Sequence, residues 1–138
     1  MIVQTVTTSF KEDILKGLQD LSTDVIHMAL YTALANLDAN TLTYTSVGEV
    51  TDPNYTAGGA LCQNVVIKKD TQNGIVYLTF DNVVWSNVSF TCRGALIYNV
   101  TKGNKSIAIL NFGSDKTAGP NFTVTLPADT PTSALIRV

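Results

Sequence analysis

Apolar residues recur along the first part of the chain with two different periods. In TSFKEDILKGLQDLST, Phe10, Ile14, Leu18 and Leu21 are spaced four, four and three apart, which places them on one helical face. Ser9 precedes this run with Glu12 three residues later, a capping-box pattern, so the spacing predicts an amphipathic helix over about 9–21. Gly17 falls inside it and weakens it by about 1 kcal/mol relative to alanine. In DVIHMALYT (24–32) the period becomes two. Ile26, Met28 and Leu30 share one face and predict a core-facing strand, with Val25, His27, Ala29 and Tyr31 on the other side. A second helix running on into ALANL is the competing reading. Ahead of the first helix, IVQTVT (2–7) fits a short strand.

From 33 to 59 the periodicity lapses. LDANT, TSVGEV, TDPN and TAGG are turn signals, and the segment reads as a long loop, with Leu42 and Tyr44 in a short strand or local cluster. Strands are predicted from residue 60 onward. ALCQNVVIK leads through a turn containing Asn73-Gly74, a hairpin signal, into GIVYLTF. DNVVWSNV is compact and aromatic, FTCRGALIYNV is a long strand, and TKGNK turns into SIAILNF. GSDKTAGP reads as a loop, NFTVTLP as a strand, and TSALIRV closes the chain. Seven or eight short strands at hairpin spacing predict a mainly β fold. The expected architecture is a single-domain antiparallel β-sandwich or partly open barrel, with the helix over one end or edge.

Composition narrows the function more than the fold. The 138 residues carry 14% charged and 45% hydrophobic side chains, with a formal net charge of −2. Nine Lys and Arg form no patch beyond Lys68 and Lys69, so nucleic acid is not an expected partner. No apolar run approaches a membrane span, and the first residues lack the pattern of a signal peptide; the expected setting is a cytoplasm, with no membrane partner. Low charge also suits a surface that lies against another protein. Cys62 and Cys92 read as two buried thiols, although a disulfide between neighbouring strands stays open. Five N-x-[ST] triplets, at Asn54, Asn87, Asn99, Asn104 and Asn121, reflect abundant Asn and Thr more than glycan acceptors.

Candidate chemistry is thin. His27 is the only histidine, sits among apolar neighbours and has no Cys or His at metal-ligand spacing. Asp52, Asp70, Asp81, Asp115 and Asp129 lie in or beside turns, where aspartate bonds its own backbone, so paired-carboxylate catalysis is not the favoured role. Trp85 with Tyr44, Tyr55, Tyr77 or Tyr98 could stack on a sugar, but core packing is the simpler reading. The sequence therefore nominates no catalytic, cofactor-binding or metal-binding residue, and predicts no cofactor. Arg93 stands alone in FTCRGALIY. Alternation puts Phe90, Cys92, Leu96 and Tyr98 on the core face and Arg93 on the other, with Asp81 as its expected partner. A structural arginine is the first reading and a subunit contact the second.

Taken in order, SFKEDILKGLQDL, VIHMALYTA, TLTYTSVGEV and YTAGG resemble segments of a group of small tailed-bacteriophage virion proteins. VYLTFDNVVWSNVSFTCRGALIYN, SIAILNFGSDKT and FTVTLPADTPTSALIRV extend the likeness over nearly the whole chain. The most specific stretches are Trp85 to Tyr98 and Ala108 to Lys116. The resemblance implies a non-enzymatic particle component, and by extension a capsid decoration (cement) protein assembled in a bacterial cytoplasm. Its partners would be the major capsid protein or other virion proteins, and it would form a homo-oligomer, preferably a trimer. It carries over no catalytic residue. Met1 to Thr8, free to add to a neighbour's sheet edge, and Asn36 to Gly59 are the candidate contact regions. A tail, neck or host-surface carbohydrate-binding component is the alternative.

Overall fold

The structure, a computed structural model, describes residues 1–138. One helix, α1 (Thr8–Lys16), is set among ten strands. Its start is fixed by Thr7, whose hydroxyl accepts from the Phe10 N–H at 3.4 Å. The expected cap, Ser9, instead lies within the helix, its hydroxyl 3.3 Å from that of Ser106. Gly17 ends the helix early because it adopts φ 70. The Gly17 N–H bonds the Ile14 carbonyl at 3.3 Å and the Leu18 N–H bonds that of Asp13 at 2.8 Å, a Schellman closure. The glycine expected to weaken the helix is its terminator, and Leu18 and Leu21 fall beyond it.

The largest sheet joins β1 (Thr5–Val6), β8 (Lys105–Ala118), β7 (Phe90–Asn99), β2 (Ile26–Tyr31) and β3 (Ala60–Leu61), in that spatial order and antiparallel throughout. A second sheet orders β10 (Ile136–Arg137), β5 (Ile75–Thr79) and β4 (Val66–Asp70), and a third pairs β6 (Val83–Trp85) with β9 (Phe122–Val124). The expected strand 60–68 is thus divided: Asn64, at φ 56, breaks it and sends its two halves into different sheets. The main core lies between the five-stranded sheet on one side and the two smaller sheets with α1 on the other. Met28, Leu30, Ile97 and Ile107 meet Phe10, Leu78, Trp85, Val124 and Ile136 there. The fold is mainly β, an antiparallel sandwich-like arrangement with one N-terminal helix and no closed barrel. No helix is long and apolar enough to cross a membrane.

Two departures from simple alternation matter. β8 does not stop at Phe112 but continues through the segment read as a loop, pairing Lys116, Thr117 and Ala118 with Cys92, Thr91 and Phe90. The register breaks between Cys92 and Gly94, where 112–115 of β8 stand against Arg93 alone and Gly113 sits at φ 83. Across this break β7 changes the face its side chains present. Phe90 and Cys92 enter the same core as Ala95 and Ile97, while Leu96 and Tyr98 face the opposite side. The expected grouping of Phe90, Cys92, Leu96 and Tyr98 fails for that reason. Beyond Asn111 no strand pairs with the outer edge of β8, and its exposed residues there are Gly113, Ser114, Asp115, Lys116 and Thr117.

The five-stranded sheet is also covered on its second face. Ala29, Tyr31, Leu96, Tyr98 and Ile109 pack there with Ile2, Ala35 and Leu37, and Tyr44 lies against them. The first part of the segment 33–59 is therefore a packed cover, while Val50 and Tyr55 of its second part enter the main core. The first part closes on itself: the Thr32 N–H and hydroxyl both donate to the Gly48 carbonyl, at 2.8 and 3.0 Å.

Candidate interaction surface

A buried polar network seats α1 on the large sheet. The Gln19 amide donates to Asp13 at 2.9 Å, and the Asn99 amide donates to Gln19 at 3.0 Å and to Asp24 at 2.8 Å. Ser106 donates to Thr7 at 2.9 Å, while the Lys105 ammonium lies 3.7 Å from Asp13. Because Asn99 and Ser106 are fully buried, each unmade bond would cost about 1–3 kcal/mol, so the network holds the turn after Gly17 in place. It also removes Asn99 from the set of conceivable glycan acceptors.

This fixed helix and the three-stranded sheet stand slightly apart. On the sheet side, Ile67, Leu78 and Ile136 form one cross-strand row. Val76 and Val138, which exchange backbone hydrogen bonds of 2.9 and 2.8 Å, begin the next. Phe10, Ile14 and Leu21 pack over Leu78 and Ile136 and leave Ile67, at the end of the first row, and Val76, in the second, partly open. The result is an apolar slot of about 390 Å³, with Gly17, Gln19 and Asp20 at the helix end. Ile67 remains 45% exposed and Val76 40%, as large apolar side chains in a folded interior would not be. The Asp20 carboxyl is held below the usual range by its hydrogen bonds from Ser22, so a negative charge sits at the slot's end.

The other concentration of polar groups is on the opposite face, around Glu49. Its Oε1 accepts from the Tyr44 hydroxyl at 2.7 Å; its Oε2 accepts from the Tyr55 hydroxyl at 2.7 Å and the Gly58 N–H at 2.9 Å. Tyr55 in turn accepts from the Leu30 N–H at 2.9 Å. Tyr44 stacks on Tyr98 with centroids 5.0 Å apart. Burial pushes the phenols of Tyr31, Tyr44 and Tyr55 far up, and that of Tyr98 to about 12. A carboxylate receiving three donors from its own chain is a fastener for the 33–59 segment. Sequence reading did not single out Glu49. The one available signal was the single glutamate of a tyrosine-bearing loop, with no period to tie it to Tyr55 or Tyr98.

Of the residues weighed from sequence, Asp81 and Asp129 line one cleft of about 420 Å³ with Asn64 and Asn82, Trp85 meets Tyr55, Tyr44 meets Tyr98, and Arg93 meets Asp115. His27, half-buried on β2, has its ring 6.0 Å from that of Tyr98. Asp52 accepts from the Asn54 and Ser89 amides at 2.8 and 3.0 Å, and Asp70 from those of Gln72 and Asn73 at 3.1 and 3.3 Å. Asp129 pairs with Lys68. Arg93 does not meet Asp81, which accepts from Asn64 at 2.6 Å; its partner is Asp115 at 3.6 Å, in the extra residues that the register break places opposite it. Trp85 and Tyr55 are only 6% and 7% exposed and stack on each other 6.3 Å apart inside the core, so neither offers a face to a sugar. Cys62 and Cys92 are buried free thiols, each pushed up to about 12 by burial. The N-terminal segment is engaged within its own chain: Thr5 and Val6 pair with β8, and the Val3 N–H bonds the Leu37 carbonyl at 2.8 Å.

No protein family, curated protein or solved structure was found to match this chain.

Proposed function

We propose that this chain is a non-enzymatic structural protein of a tailed-bacteriophage virion that decorates and stabilises the capsid shell through symmetric protein contacts. The slot between α1 and the β10–β5–β4 sheet carries the reading. It leaves apolar side chains in water beside a helix that is itself rigidly seated, which suits burial against another protein. The likeness of Trp85 to Tyr98 and Ala108 to Lys116 to small virion proteins supports the setting. These stretches form β7 and much of β8, the central strands of the largest sheet. Glu49 and its tyrosines are occupied in fastening their own chain. Multivalent attachment to a shell would let weak single contacts sum to persistent binding.

The test is the copy number of this chain in purified particles, by quantitative mass spectrometry. Many copies, in a fixed ratio to the major capsid protein, are expected. A handful per particle would move the protein to the neck or tail, and its absence from particles would overturn the virion reading.

A further inference from the structure

Beside the slot, on the solvent side, α1 and the residue after its glycine cap carry exposed apolar side chains that form an unused ridge. Leu15 is 89% exposed and Leu18 45%. Lys11, exposed and four residues before Leu15, lies next to it on the helix surface. Ridge and slot are complementary in character. The ridge is apolar with a cation at one end; the slot is apolar with Asp20 at one end, and only the Oδ1 of that carboxylate is engaged by Ser22.

We propose that the occupant of the slot is a second copy of this chain, with the Lys11–Leu15–Leu18 ridge of one copy entering the slot of the next and Lys11 meeting the neighbour's Asp20. Phe10 and Ile14 face the slot while Lys11 and Leu15 turn away from it, so the two surfaces are different patches of one molecule. The contact is therefore head-to-tail, the kind that generates a ring when its rotation closes. The charge pair fixes which end of the ridge meets which end of the slot, and the apolar side chains supply the attraction. This inference rests on the reading of the chain as a contact protein but not on its belonging to a virion.

The experiment is the solution mass of the purified chain by light scattering and sedimentation over a concentration series up to about 100 µM, a range that detects contacts of micromolar strength. The wild type is expected at a multiple of the single-chain mass. Leu15→Glu alters a side chain in water in the single chain, and Val76→Lys alters the slot wall. Each should weaken association by roughly tenfold or more while leaving the circular dichroism spectrum unchanged. Val84→Glu, exposed on β6 away from both patches, should associate like the wild type. A wild type that stays at single-chain mass throughout overturns the proposal, as does an assembly that survives both Leu15→Glu and Val76→Lys. Neither result bears on the particle copy number, so the two readings fail separately.

Discussion

The Tyr55 hydroxyl joins two parts of the molecule: it donates to Glu49 at 2.7 Å and accepts from the Leu30 N–H of the central sheet at 2.9 Å. Glu49 thereby ties Tyr44, on the covered second face, to Tyr55, whose ring enters the main core. Replacing Glu49 with alanine removes three donors' shared acceptor. It should lower stability by about 2–3 kcal/mol in denaturant unfolding, with tyrosine fluorescence of the cover perturbed. A loss near zero would mean that water replaces the carboxylate and the cover is held by packing alone.

Gly59, at φ 84, lets the returning chain pass directly over β2. A Cβ there would stand 1.8 Å from the Met28 carbonyl oxygen, which is backbone and cannot step aside. Gly59→Ala is therefore expected to cost more than about 3 kcal/mol and to yield little folded protein. Gly74→Ala, at φ 68 in the open hairpin turn with nothing within 4 Å, should cost only about 1 kcal/mol. Comparing the two by thermal unfolding separates close approach from backbone conformation.

The buried phenols set an alkaline limit. Tyr98 is pushed up to about 12 from its ordinary value of 10.0, and Tyr31, Tyr44 and Tyr55 are shifted in the same direction, all first by burial. A raised folded pKa means that the unfolded chain gives up its proton first. The stabilising contribution is whole below pH 10 and is lost as pH rises toward 12. Tyrosinate absorbance from these residues should therefore appear together with loss of the near-ultraviolet dichroism. Ionisation well ahead of unfolding would contradict the burial of these rings.

Arg93 and Asp115 form a solvent-facing pair, with side chains 37% and 56% exposed. Arg93→Met should change stability by no more than about 1 kcal/mol, the range of exposed pairs. A loss of several kcal/mol would show that the pair is shielded from water and restore the structural role first expected of this arginine.

What the sequence disclosed followed the reach of its periodicities. Ile26, Met28 and Leu30 alternate, and they do face the main core; a strand buried on one side writes that pattern directly. Ala29 and Tyr31 are equally buried, yet a small residue and an amphipathic one do not announce a second covered face. The helix was legible from Phe10 and Ile14, but its end was not, because Gly17 reads the same whether it weakens a helix or closes one. GSDKTAG looked like a loop since five consecutive exposed residues and a glycine carry no apolar period, although the backbone there still pairs with β7. The register break that turns β7 over lies in β8, about twenty residues away, so no inspection of FTCRGALIY could place Cys92 with Ala95. The slot is still further from a local signal. It exists because a helix from the start of the chain covers Leu78 and Ile136 but not Ile67 and Val76, on strands from the middle and the end.

The unpaired outer rim of β8 has a consequence for any assembly this chain enters. Its long open backbone could template strand after strand, as flat edges do in fibrils, but Asp115 and Lys116 stand out along it and discourage such stacking. Growth by endless ladder is thereby disfavoured, so any assembly would have to form through side-chain surfaces, whose geometry can stop at a finite number.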